Sequence, residues 1–151
     1  MNYTAEDELL IQEKYEDLML ICEKICKSNS DRDFIKKAFF LAKEAHKGVR
    51  RRSGEPYLLH PIAVAKIAVE EIGLGVKSVV AALLHDVVED TDYTVEDIRN
   101  LFGEMVTPYH SKLTPHQRTK LYTDMLSSES GTFVVGARSA LFLPYKRLGL
   151  V

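Results

Sequence analysis

Apolar residues recur along the first hundred positions at helical spacing. Between Ala5 and Lys27, the positions Ile11, Tyr15, Leu18, Cys22 and Ile25 advance by alternating steps of four and three. That rhythm predicts one amphipathic helix. Ser28, Asn29 and Ser30 interrupt it, and Ser30 or Asp31 is expected to cap the next helix. A second stripe, Phe34, Ala38, Leu41, Ala42 and Ala45, ends near Gly48. The pattern then lapses into a basic connection, VRRRSGEPYLLH, over residues 49–60. Pro61 suits the first turn of a third helix carrying Ile62, Ala65, Val69 and Ile72, closed by Gly73 and Gly75. A fourth helix is expected from about Lys77 to Asp90, buried nearly all round because of its VVAALL run. Thr94 with Asp97 forms a capping-box pattern for a fifth helix stopped at Gly103. No strand alternation interrupts these segments, so the fold class reads as all-α.

Beyond Met105 the pattern weakens. Residues 112–125 carry some helical signal, whereas 127–136, rich in Ser and Gly, read as loop. The organisation expected is an N-terminal amphipathic helix over 1–30, a helical core over 31–106 and an atypical tail over 107–151.

Composition narrows the function classes. The chain has 151 residues, 46% hydrophobic, with 20 Lys+Arg against 22 Asp+Glu and a net charge of -2. Such a balance argues against a basic nucleic-acid footprint. No apolar run approaches the roughly 20 residues of a membrane span. The acidic start lacks a secretory pattern, so a cytoplasmic protein is expected. Cys22 and Cys26, one helical turn apart, lack the geometry for a disulfide and read as packed apolar residues.

The informative segment is HDVVED, at the end of the fourth predicted helix. On a continuous helix His85, Glu89, Asp86 and Asp90 point to about 0°, 40°, 100° and 140°, a single arc. Carboxylates crowded beside an apolar helix repel one another unless a cation or basic partner compensates. Mixed imidazole and carboxylate donors suit Mn, Fe or Zn better than Ca or Mg. His60 opens the preceding helix, 25 residues earlier, where antiparallel packing can bring it to the same ion. By composition alone, Arg50 to Arg52 would be a solvated loop, and His46 a packing or capping histidine, with Glu55 and Tyr57 shaping the loop.

AFFLAKEAHKGVRRRSGEPYLLHPIAVAKI, followed by AALLHDVVEDTDYTVEDIRNLFGEMV, closely resembles the hydrolase domain of RelA/SpoT-type alarmone enzymes. The resemblance covers about residues 31–106 and rests on several motifs in order. It implies an all-helical HD-domain bundle that removes the 3′-pyrophosphate of (p)ppGpp, with one Mn2+ per chain. It implies metal ligation by His60, His85 and Asp86. Glu89 and Asp90 match the family's acidic pair, which serves the attacking water. Arg51, Arg52 and Ser53 fall on the stretch that packs against the guanine and phosphates. Arg52 stands where many relatives have lysine.

Two departures accompany the match. The family's later ADRLHN motif, whose aspartate completes the metal site, has no counterpart in this sequence. Asp124 is the only aspartate after Asp97. LPYKRLGL, at residues 143–150, faintly resembles APLAHRLGL, which follows the hydrolase core in long relatives. A weak (p)ppGpp hydrolase is therefore expected. The alternative is a truncated, inactive HD module that binds guanine nucleotide or a partner.

Overall fold

Helix-capping boxes set the starts of three helices. The computed structural model describes residues 3–103, 106–109, 113–127 and 133–136. They fall into two compact units, 1–93 and 94–151. In the first unit, α1 (Ala5–Cys22) begins where the Thr4 hydroxyl accepts from the Asp7 amide and the Asp7 carboxylate accepts from the Thr4 amide. α2 (Asn29–Ala45) begins with the same box made by Ser28 and Asp31. The cap is thus Ser28 rather than Ser30 or Asp31. The Asp31 side chain reaches back to the Ser28 amide, which starts the helix earlier than expected.

α3 (Leu59–Glu70) and α4 (Val76–Leu84) form the best-packed pair, with α2 against α4 and α1 against α3. Ile11, Leu18, Ile35, Phe39, Leu58, Leu83 and Leu84 are fully buried among them. Tyr15 stacks on Phe39 with ring centroids 3.9 Å apart and planes inclined by 17°. The expected α1 stripe lies in the core as far as Cys22. There the helix ends in a tightened last turn, in which the Glu23 amide donates to Leu20 and the Ile25 amide to Cys22. Burial pushes the Cys22 thiol up to about 12, and both cysteines are free. Of the expected α2 stripe, Ala38, Leu41 and Ala42 are buried and Phe34 and Ala45 only half-buried, and Ile35 and Phe39 join the core beside them. Ile72, expected inside, is exposed beyond the end of α3.

The largest difference lies at HDVVED. The fourth predicted helix is two pieces, α4 and the short α5 (Val87–Asp90), with His85 and Asp86 at the junction. Asp86 has φ -99° and ψ -4°, away from helical values.

In the second unit, α6 (Val95–Phe102) carries the expected Thr94–Asp97 box and stops at Gly103, whose φ of 60° favours glycine. β1 (Val106–Tyr109) pairs in parallel with β2 (Phe133–Gly136), Val106 opposite Phe133. α7 (Pro115–Ser127) lies between them in sequence. Residues 133–136 are therefore strand rather than loop. Four residues carry too little alternation for a sequence pattern, and only the partner strand gives their backbone hydrogen bonds a destination. The fold is otherwise mostly helical, as expected of an HD-domain bundle. Among the described residues no helix is long and apolar enough to cross a membrane. LPYKRLGL, at 143–150, and the expected loop positions 128–132 lie outside the described residues.

One polar side chain sits in the core of the first unit. His46, the C-cap of α2, is 1% exposed, and its Nε2 finds no hydrogen-bond partner among the described residues. Burial holds its pKa below the ordinary 6.5, so it folds as the neutral imidazole.

Phe39→Ala should destabilise the protein by about 3–5 kcal/mol in urea denaturation. The exposed neighbour Phe40→Ala should cost only about 0.5 kcal/mol. Acid should expose the second feature. Below pH 6.5 the unfolded chain protonates residue 46 while the folded chain resists. His46 therefore contributes full stability above pH 6.5 and loses it as pH falls toward the depressed folded value. The urea midpoint of the wild type should drop between pH 7.5 and 5.5, and that of His46→Gln should drop less.

Candidate metal centre

The connection before α3 and the break after α4 bring the chemistry-bearing side chains together. Leu59 and His60 form the first turn of α3, and Pro61 costs nothing there because first-turn amides have no helical acceptor. His60 is thereby presented from the start of one helix toward the end of another. Its ring lies edge-on to that of His85, with centroids 5.3 Å apart.

At the junction of α4 and α5, His85 Nδ1 lies 2.7 Å from the Ala82 carbonyl. Because a carbonyl can only accept, Nδ1 donates to it, which turns Nε2 outward. That Nε2 stands 2.8 Å from Asp86 Oδ2. A ring nitrogen and a carboxylate oxygen at this separation can share a proton or act as neighbouring ligands of one ion. His60, His85 and Asp86 each offer one such atom, all within 4.8 Å of one another. Burial is the main influence holding the His60 pKa below its ordinary value, with the neighbouring His85 second. A neutral imidazole is the form that ligates. Two imidazoles and one carboxylate within reach of a single point fit a borderline divalent ion.

The remaining acids of the motif separate. Asp90 and Glu89 are both exposed on α5. Asp90 Oδ2 accepts from the Tyr57 hydroxyl at 3.2 Å. The same hydroxyl donates to Asp86 Oδ2. Tyr57 thus bridges the acid beside His85 and the acid one turn later, a role its expected part in loop shaping did not include. Burial and the two carboxylates push its phenol well above its ordinary value, which keeps it a donor. Its ring packs on His46, with centroids 4.6 Å apart. The signal available in sequence was its position three residues before His60, one turn away on the approach to α3.

The unbroken helix assumed for HDVVED is not found, since α4 ends at Leu84 and α5 starts at Val87. His85 and Asp86 nevertheless meet at the junction, and Asp86 and Asp90 share the Tyr57 hydroxyl.

Beside these groups lies an open depression of about 600 Å³, lined by Val49, Arg50, Arg51, Arg52, Ser53 and Tyr57. The three residues singled out in sequence, Arg51, Arg52 and Ser53, are exposed along it. Tyr57 belongs to both this wall and the carboxylate cluster, so the depression and the imidazole pair share a border. Asp124 lies on α7, in the second unit. A polyanion would meet guanidinium groups at one edge of this region and lone-pair donors at the other.

The HD-domain family model matches residues 38–120, which contain His60, His85, Asp86 and the basic loop. The bifunctional (p)ppGpp synthase/hydrolase SpoT of Escherichia coli is 49% identical over 72 residues, covering 48% of this chain and 10% of the relative. The guanosine-3′,5′-bis(diphosphate) 3′-pyrophosphohydrolase of Aquifex aeolicus is 47% identical over 72 residues, with the same two coverages, 48% and 10%. A GTP pyrophosphokinase of Streptomyces coelicolor is 47% identical over 73 residues, covering 48% of this chain and 8% of the relative. The chain spans about a tenth of the length of these relatives. It belongs to the HD-domain family, and over its HD region it is similar to enzymes of the RelA/SpoT type.

Proposed function

We propose that this chain hydrolyses the 3′-pyrophosphate of (p)ppGpp with a bound Mn2+. The observation that carries the reading is the convergence of His60, His85 and Asp86 donors within 4.8 Å, next to an arginine-lined depression. The printed activities of the Escherichia coli and Aquifex aeolicus relatives supply the substrate class. In this reading His60, His85 and Asp86 hold the ion. The chemistry a divalent ion supplies when bound is a lowered pKa for water and polarisation of a phosphoryl oxygen.

The other residues take roles set by charge and position. Arg51 and Arg52 hold the phosphates, and Ser53 offers a hydroxyl at the same edge. Asp90, kept in place by the Tyr57 hydroxyl, accepts the proton of the attacking water, with Glu89 as its neighbouring acid. Water adds to the phosphorus attached to the 3′ oxygen. The bond to that oxygen breaks, the oxygen takes up a proton, and pyrophosphate leaves. Only one of the three donors is a carboxylate, which weakens the hold on a hard ion and favours slow turnover. The lack of an ADRLHN motif points the same way, and a nucleotide-binding module without turnover is the second reading.

The wild type should take up one Mn2+ per chain, measured by mass spectrometry of metals after desalting. Mn2+ at about 100 times its Kd should stabilise the fold by about 2.7 kcal/mol. His85→Ala should lose both signals while keeping its helical circular dichroism. An unchanged Mn2+-dependent shift in His85→Ala would remove this triad as the metal site.

Asp90→Asn should behave differently. It should keep the Mn2+-dependent stabilisation and lower pyrophosphate release from ppGpp by about two to four powers of ten. Near-normal turnover would take Asp90 out of the chemistry. Nucleotide binding with no pyrophosphate release from the wild type would favour the binding module.

A further inference from the structure

The three consecutive arginines of the basic loop are not equivalent. Arg50 is engaged: its Nη1 donates to the Gly54 carbonyl at 2.6 Å and to Asp7 Oδ1 at 3.3 Å, and its Nη2 pairs with Asp7 Oδ2. Arg51 stands 3.5 Å from Glu55 in an exposed pair that water and salt weaken. Arg52 makes no ion pair among the described residues. Among the described residues Arg50 is thus the arginine of this loop most fully engaged by the protein itself.

The residue committing it comes from the far end of the chain segment, in the first turn of α1. Asp7 is already held by the Thr4 amide and hydroxyl, each 2.8 Å away, so its carboxylate is fixed before it meets Arg50. Tyr3, just before the same helix, donates its hydroxyl to the His46 carbonyl at 2.6 Å and lies 3.2 Å from the Val49 carbonyl. Those two carbonyls stand where the basic loop leaves α2. Within the loop the Arg51 amide donates to Glu55, the Gly54 amide to Arg51, and the Tyr57 amide to Val49. Arg50 and Pro56 form an antiparallel bridge. Tyr3 and Asp7 thus clamp the root and one flank of a small hairpin-like loop whose remaining hydrogen bonds are its own.

We infer that Tyr3 and Asp7 are positioning residues for the nucleotide-binding loop, holding Arg50 so that Arg51 and Arg52 are presented to a polyphosphate. This rests on the functional reading above. A loop ordered before its ligand arrives pays less conformational entropy on binding. Loss of the clamp should therefore appear in affinity, not in the chemical step. The clamp lies outside residues 38–120, so a chain that kept only the matched segment would lack it.

Asp7→Asn keeps an acceptor for the Thr4 amide and removes the charge that holds Arg50. Hydrogen exchange should speed up at the Arg51, Gly54 and Tyr57 amides by about tenfold, as expected on losing a charge-assisted hydrogen-bond pair. Amides of α4 should be unaffected. Binding of ppGpp, titrated in Mn2+ on an Asp90→Asn parent so that nucleotide is not consumed, should weaken by about three- to tenfold. KM should rise likewise in the otherwise wild-type chain, with kcat unchanged. Asp7→Glu should restore most of both effects. Thr94→Ala, which removes the equivalent cap of α6 and no contact of the loop, should leave loop exchange and affinity within about twofold. Unchanged loop exchange in Asp7→Asn, or faster exchange with wild-type affinity, would overturn the positioning role alone. A parent chain that binds no ppGpp would overturn the functional reading and the positioning role with it.

Discussion

Adjacent residues on an α-helix cannot point at the same atom, and the site in this protein depends on escaping that constraint. His85 and Asp86 are neighbours in sequence, yet their Nε2 and Oδ2 atoms stand 2.8 Å apart. The escape is the junction between α4 and α5, where Asp86 leaves helical dihedral angles. The Ala82 carbonyl fixes the His85 tautomer on one side, and the Tyr57 hydroxyl fixes Asp86 on the other. A hydrogen bond to each member of the pair sets its orientation without a metal in place. Such outer partners govern how well a site is preorganised.

Tyr57 connects this pair to the rest of the first unit. Its hydroxyl reaches Asp86 and Asp90, its ring packs on the buried His46, and its amide closes the basic loop onto Val49. The loop is in turn fixed by Tyr3 and Asp7 from α1. The core formed by α1 to α4 carries His60 and His85 directly, on α3 and at the end of α4. One tyrosine and one loop tie the acids and arginines to it. Buried apolar contacts such as Tyr15 on Phe39 supply the rigidity, and a few directed polar contacts convert it into position.

The charge layout follows the same division. Cationic side chains line the depression, whereas Glu89 and Asp90 sit on α5. In the proposed function the arginines offset the repulsion that Asp86, Glu89 and Asp90 would exert on a phosphate ester. The commitment of Arg50 to Asp7 lowers the number of free cations but fixes where the others stand.

The amino-acid pattern by itself determined the helical class, the Thr94–Asp97 cap and the α1 stripe up to Cys22, because these depend on contacts three or four residues apart. It also marked His60, His85 and Asp86 through ordered motifs. Tertiary structure decided the rest. The helix break at His85 carries no proline or glycine, so nothing local announced it. Ile35 and Phe39 entered the α2 core face beside the expected Ala38, Leu41 and Ala42, Phe39 through its stack on Tyr15 of α1. The strand at Phe133–Gly136 exists only through pairing with Val106–Tyr109. Tyr57 looked like a loop residue because its partners lie 29 and 33 positions away. Asp7 carried no signal in the sequence for the same reason, its partner Arg50 being 43 residues distant. Periodicity records local geometry, whereas hydrogen bonds between remote side chains leave no spacing to detect.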